Sequence, residues 1–139
     1  GWVDPAAPTT FRLQRDGGPV STIALPGPAL RVWGSPGLFA AAVRAGGRVV
    51  LLRIDQTAAP RAVRVWSGAR LPRVALGGGA VAVADGRRVL AARRGALRTV
   101  TRPPRVVDAV GVDGRRIAWI ERATRRGARV GVVRVGRLR

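Results

Sequence analysis

Seven side chains of this 139-residue chain carry a carboxylate: Asp4, Asp16, Asp55, Asp85, Asp108, Asp113 and Glu121. With Ser21, Ser35, Ser67 and several threonines, they are nearly all the chain has for acid–base or nucleophilic work, because His, Cys, Lys and Tyr are absent. The common general bases and activated nucleophiles are therefore missing. No serine sits in a Gly-x-Ser-x-Gly elbow. The run Leu76-Gly77-Gly78-Gly79-Ala80 leads into an extended apolar segment, which makes it a strand-to-strand turn rather than a phosphate cradle. Asp113 with Glu121 is the carboxylate pair that could exchange protons. In the plainer reading Asp113 caps a turn and Glu121 pairs with an arginine on a solvated face. A metal would need a cage of several oxygen ligands, and single acids scattered among arginines do not supply one. No catalytic residue, metal site or cofactor is expected.

The dominant chemistry is cationic. All 26 basic residues are Arg, and they give a net charge of +19. Such a charge attracts nucleic acid and other polyanions, less so as salt rises. A chain rich in Arg, Ala, Gly, Val and Pro is also what GC-rich coding produces, so a compositional origin stands beside the functional one. Two copies of Asp-Gly-Arg-Arg concentrate the charge, at 85–88 and 113–116. Arg87, Arg88, Arg115 and Arg116 are the candidate polyanion contacts. Asp85-Gly86 and Asp113-Gly114 read as two-residue hairpin turns, because Gly accepts a positive φ and Asp tolerates it. Trp2, Trp33, Trp66 and Trp119 occupy different places in their segments and read as packing residues rather than as a stacking platform for bases.

The elements that must position these groups are strands. The apolar runs are short, rich in Val and bounded by Gly, Pro and Asp. No window holds a helical apolar period, and no apolar run is long enough to cross a bilayer as a helix. Residues 95–98 and 121–129 could each make a helical turn, but Gly95 and Gly127 interrupt them. In "RAVRVW" (61–66) the alternation puts Val63 and Val65 on one side and Arg64 on the other. "AVAVA" (80–84) has small residues on both sides and suits a strand buried between layers. Three segments share the frame Arg-Val-x-apolar-apolar-Arg, at 48–53, 88–93 and 129–134. Their spacing sets a repeat of about 40 residues, with four short strands to a unit, the signature of a β-propeller blade. A sandwich or barrel is the competing all-β reading.

Residues 107–135 carry a more specific likeness. Asp113-Gly114-Arg115-Arg116-Ile117-Ala118 resembles the Ser-Pro-Asp-Gly-(Lys/Arg)-(Lys/Arg)-Ile-Ala turn of the WD40-like repeat in TolB-type propellers. Gly111 and Val112 stand in place of the Ser-Pro. Residues 34–43 keep Ser35-Pro36-Gly37 without the Asp and the basic pair. The resemblance implies one propeller segment over 1–139, with the end of a preceding blade at 10–25 and blades at 29–68, 71–101 and 104–135. It implies a noncatalytic protein-binding or scaffolding module with an extracytoplasmic tilt; the noncatalytic propeller of a peptidase or other hydrolase is a further reading. The expected partner is another protein, with Arg-mediated binding of nucleic acid or an anionic envelope polymer as the alternative. About three blades do not close a ring, so further blades of a longer chain, or a second copy, are expected to complete it. In a propeller the two Asp-Gly-Arg-Arg turns fall on opposite faces. The framing arginines (Arg48, Arg53, Arg88, Arg93, Arg129 and Arg134) form a basic belt or flank the buried strand centres.

Overall fold

The computed structural model describes every residue, Gly1–Arg139. The chain is all-β: fourteen strands and no helix. Each of the four sheets is antiparallel and built from consecutive strands, so every connection inside a sheet is a hairpin. The chain divides into two compact units, Gly1–Leu71 and Pro72–Arg139.

The first unit holds two sheets. One contains β1 (Trp2–Asp4), β2 (Ala7–Gln14) and β3 (Val20–Ala24); the other contains β4 (Ala29–Ser35), β5 (Leu38–Ala45), β6 (Arg48–Asp55) and β7 (Ala62–Gly68). Phe11, Leu13, Ile23 and Leu25 form one core with Ala41, Val43, Val50, Leu52 and Ile54. Residues two apart on each strand supply this layer, as the pleat requires. Phe11 and Phe39 meet at a tilt of 56° with centroids 5.5 Å apart. Each large side chain buried here is worth about 1.5–3 kcal/mol relative to exposure.

The second unit repeats the plan. A four-stranded sheet has β8 (Arg73–Gly77), β9 (Ala80–Asp85), β10 (Arg88–Ala92) and β11 (Arg98–Thr101). A three-stranded sheet has β12 (Val107–Asp113), β13 (Arg116–Arg125) and β14 (Ala128–Arg137). Ala80, Ala82, Ala84, Val89 and Ala91 pack with Val107, Ile117 and Leu138, and Trp119 lies against this cluster. Ala80–Ala84 are all buried, so β9 is covered on both sides, as its small residues suggest. The strands β6, β10 and β14 begin at 48, 88 and 128, in step with the Arg-Val frame.

Three local expectations change. In β7 the register shifts opposite Leu51 and Leu52, so Leu51 faces Trp66 and Leu52 faces Arg64. This bulge breaks the alternation: Val63 is exposed while Val65 and Trp66 are both buried. Residues 121–129 make no helical turn; they extend β13 and open β14 around a tight Arg126-Gly127 turn in which both residues have positive φ. In the Asp-Gly-Arg-Arg turns, Asp85 and Asp113 are the closing strand residues, paired with Arg88 and Arg116. The loop residues are Gly86-Arg87 and Gly114-Arg115, with positive φ only at the glycines. Glycine first and an ordinary residue second is the type II′ pattern rather than the Asp-Gly type I′ one.

Candidate interaction surface

The two basic turns lie at opposite ends of β12. Val107 N donates to Gly86 C=O (2.9 Å), and Gly114 N donates to Gly77 C=O (3.2 Å). Seven residue steps separate these points, roughly 23 Å. The four candidate arginines therefore do not converge. Two of them are engaged locally: Arg88 pairs with Asp85 at 2.6 Å, and Arg87 Nε donates to Pro103 C=O at 3.4 Å. Arg115 and Arg116 are exposed and make no ion pair.

Asp113 and Glu121 do not meet either. Asp113 faces Arg116 at one end of the β12–β13 ladder and Glu121 faces Val107 at the other, about 17 Å apart along β13. Glu121 also lies on no solvated face: it is buried, at 2% exposure. Trp119 Nε1 donates to its Oε1 (3.2 Å), and Arg134 Nε stands 3.6 Å from the same oxygen. The reason is strand parity. Ile117, Trp119 and Glu121 share the face that packs on the neighbouring sheet of this unit, and Glu121 follows them inward.

The opposite face of β12–β14 is the unusual surface. Its cross-strand rows are Gly111–Ala118–Val135 and Ala109–Ile120–Val133, with Arg122–Gly131 and Thr124–Arg129 beyond. Val133 is 65% exposed and Val135 73%, the two most exposed large apolar side chains of the chain. By strand order β13 corresponds to β5 and β9, whose central residues are buried on both faces, yet its Ala118 and Ile120 stay only half-buried. A contiguous apolar patch with a polar rim marks a contact surface. Here the rim is cationic: Arg116, Arg129 and Arg137 carry no ion pair, and Arg122 is held by Asp108 through contacts of 2.6–3.1 Å. The Arg122 hydrogen bond holds the Asp108 carboxyl below its ordinary range, against some burial, and the charges of Arg73 and Arg129 add to the effect. Asp108 is the extra residue at the β12 bulge, which delivers it beside Arg122.

Only the Arg-Val frame at 129–134 points to this surface from sequence. Val133 and Val135 look like core residues of a third strand, and only the register shows that they face outward. Elsewhere, a groove of about 510 Å³ in the first unit is lined by Leu25, Val50, Leu52, Ala62 and Arg64 among others. Arg64 is its one polar side chain, whereas ligand pockets converge several. Six of the 26 arginines form ion pairs, with six of the seven acids.

No family model matches the chain, and no similar curated protein or solved structure is found.

Proposed function

We propose that this chain is a noncatalytic β-propeller segment, similar to TolB-type propellers, that acts as a protein-binding module. What carries the reading is the outward face of β12–β14, apolar at its centre and cationic at its rim. Sheets formed by consecutive strands, with third strands beginning at 48, 88 and 128, support the blade organisation. A photo-crosslinking residue at position 133 in the native cell tests the binding role. The captured protein is purified and its affinity measured at about 50 and about 200 mM salt, a range over which phosphate-type binding weakens 10³–10⁵-fold. A partner that reconstitutes and keeps most of its affinity supports the reading; no reconstituting partner refutes it. A second reading, Arg-mediated polyanion binding, is favoured by the many arginines that have no acidic partner. It is supported instead if nucleic acid binds and shows that salt loss.

A further inference from the structure

We propose that β14 receives an extended, acidic, Val-rich segment of another protein as an added strand. This inference rests on the protein-binding reading and names its partner's chemistry.

The first ground is the edge itself. Sheet edges offer unpaired backbone groups and are normally blunted by shortness, bulges, Pro or charge. In this chain β7, β11, β4 and β12 all carry register shifts. β1 has three residues; β3 and β8 have five each and are flanked by proline. β14 alone is long and regular: ten residues, no proline, and unbroken pairing with β13 from Arg116–Arg137 to Arg125–Ala128.

The second ground is the direction of its backbone. Leu138 N donates to Arg115 C=O at 2.7 Å, so 115–138 is a hydrogen-bonded pair. Antiparallel ladders alternate bonded and non-bonded pairs. With no register shift, 117–136, 119–134 and 121–132 are also bonded pairs. Arg129, Gly131, Val133, Val135 and Arg137 fall in the non-bonded pairs, so their N–H and C=O groups point away from β13. The side chains of Arg129, Val133, Val135 and Arg137 lie on the outward face, where Val133 and Val135 are most exposed. Backbone bonds would supply affinity, and alternate side chains specificity.

The third ground is charge. Residues 72–139 hold 17 arginines against four acids. A second copy paired antiparallel through β14 about Val133 would set Arg129 against Arg137 at both ends, which disfavours that pairing. An incoming strand with acids beside Arg129 and Arg137 and branched apolar residues beside Val133 and Val135 answers both features.

The test uses the full chain and a capped nine-residue peptide, Glu-Thr-Val-Thr-Val-Thr-Val-Thr-Glu, whose Glu and Val side chains share one face (the Glu–Val peptide); the same peptide with Lys in place of Glu (the Lys–Val peptide) and a ten-nucleotide single-stranded DNA are the controls. Strand addition predicts binding of the Glu–Val peptide, and slowed hydrogen exchange at the outward amides of Gly131, Val133 and Val135. Val133→Pro removes one outward N–H without touching the β13 ladder, and should weaken binding about tenfold or more with the melting temperature nearly unchanged. Arg129→Glu with Arg137→Glu should cost the Glu–Val peptide about tenfold and let the Lys–Val peptide bind. Three results overturn the inference: no peptide binding, binding indifferent to both variants, or protection placed elsewhere than β14. DNA competing as well as the peptide, with no β14 protection, also overturns it. A crosslinked partner that still reconstitutes in any of these cases leaves the protein-binding reading standing, so the two failures are distinct.

Discussion

The closeness of the two sheets in the second unit can be tested at a single Cβ. Gly114 N–H donates to Gly77 C=O, which brings the β8–β9 turn against the β12–β13 turn. A Cβ on Gly78, whose φ is +54°, would overlap the backbone nitrogen of Gly114. Gly46, first residue of an equivalent Gly-Gly turn, has a matched φ of +57°, and a Cβ there meets nothing within 4 Å. Alanine at either position takes on left-handed strain of about 1–2 kcal/mol. Only at Gly78 must it also push backbone aside, and backbone cannot swing away as a flexible side chain can. Relieving the overlap means separating the turns and weakening the Gly114–Gly77 bond, at about 1–3 kcal/mol by analogy with overpacked cores. Gly78→Ala should thus destabilise by about 2–5 kcal/mol, and by about 1–3 kcal/mol more than Gly46→Ala. Urea unfolding measures both, provided the slope with denaturant stays constant across the series. If the two variants agree within about 0.5 kcal/mol, the turns are not packed as the structure places them.

The bulge in β7 predicts unequal valines: Val63→Thr should be nearly neutral, while Val65→Thr, which buries a hydroxyl, should cost about 1–3 kcal/mol in the same unfolding assay. Glu121→Gln should keep or raise stability, within about 1 kcal/mol, because it removes a buried charge whose nearest cation, Arg134 Nε, stands at 3.6 Å. A clear loss on thermal melting would show the Glu121 charge to be needed. Asp108 has a folded pKa depressed below its unfolded value, chiefly by the Arg122 hydrogen bond. Its contribution is therefore present above the unfolded pKa and is lost as pH falls through the folded one, so Asp108→Asn should flatten the acid limb of the stability profile and leave the relative ranking of other variants unchanged.

Strands were legible in the sequence wherever both period and punctuation agreed. Ala80–Ala84 between the glycine run and Asp85 reads as a buried strand and is one. The third-strand frame at 48, 88 and 129 finds β6, β10 and β14, the last beginning one residue earlier at Ala128. What escaped were effects of pairing. A bulge adds one residue to one strand and inverts everything beyond it, so Val63 and Val65 part company although the sequence alternates. The length of β13 and β14 was hidden because Glu121–Arg129 is charged and interrupted by Gly127, while the turn Arg126-Gly127 needs only a pair that accepts positive φ. Glu121 reads as a surface acid by type alone; its parity with Ile117 and Trp119 puts it inside. The outward face was illegible for the same reason, since Val133 holds the place of Leu52 and Ala92 in the Arg-Val frame and reads like them until the cover over each is known.

Where the arginines stand bears on what they select. At the turns, Arg88 is tied to Asp85 and Arg87 to a carbonyl, and Arg115 and Arg116 project at the far end of β12, so no common phosphate track forms there. Along β14, Arg129 and Arg137 bracket Val133 and Val135 on one face, with Arg134 on the other. Charge on an edge strand discourages pairing with any strand of like charge, its own copy included. The same charge rewards an acidic strand, because the repulsive and attractive terms belong to the same side chains. An edge guarded this way can stay long, regular and apolar at its centre, and still remain unpaired until a partner of opposite charge arrives.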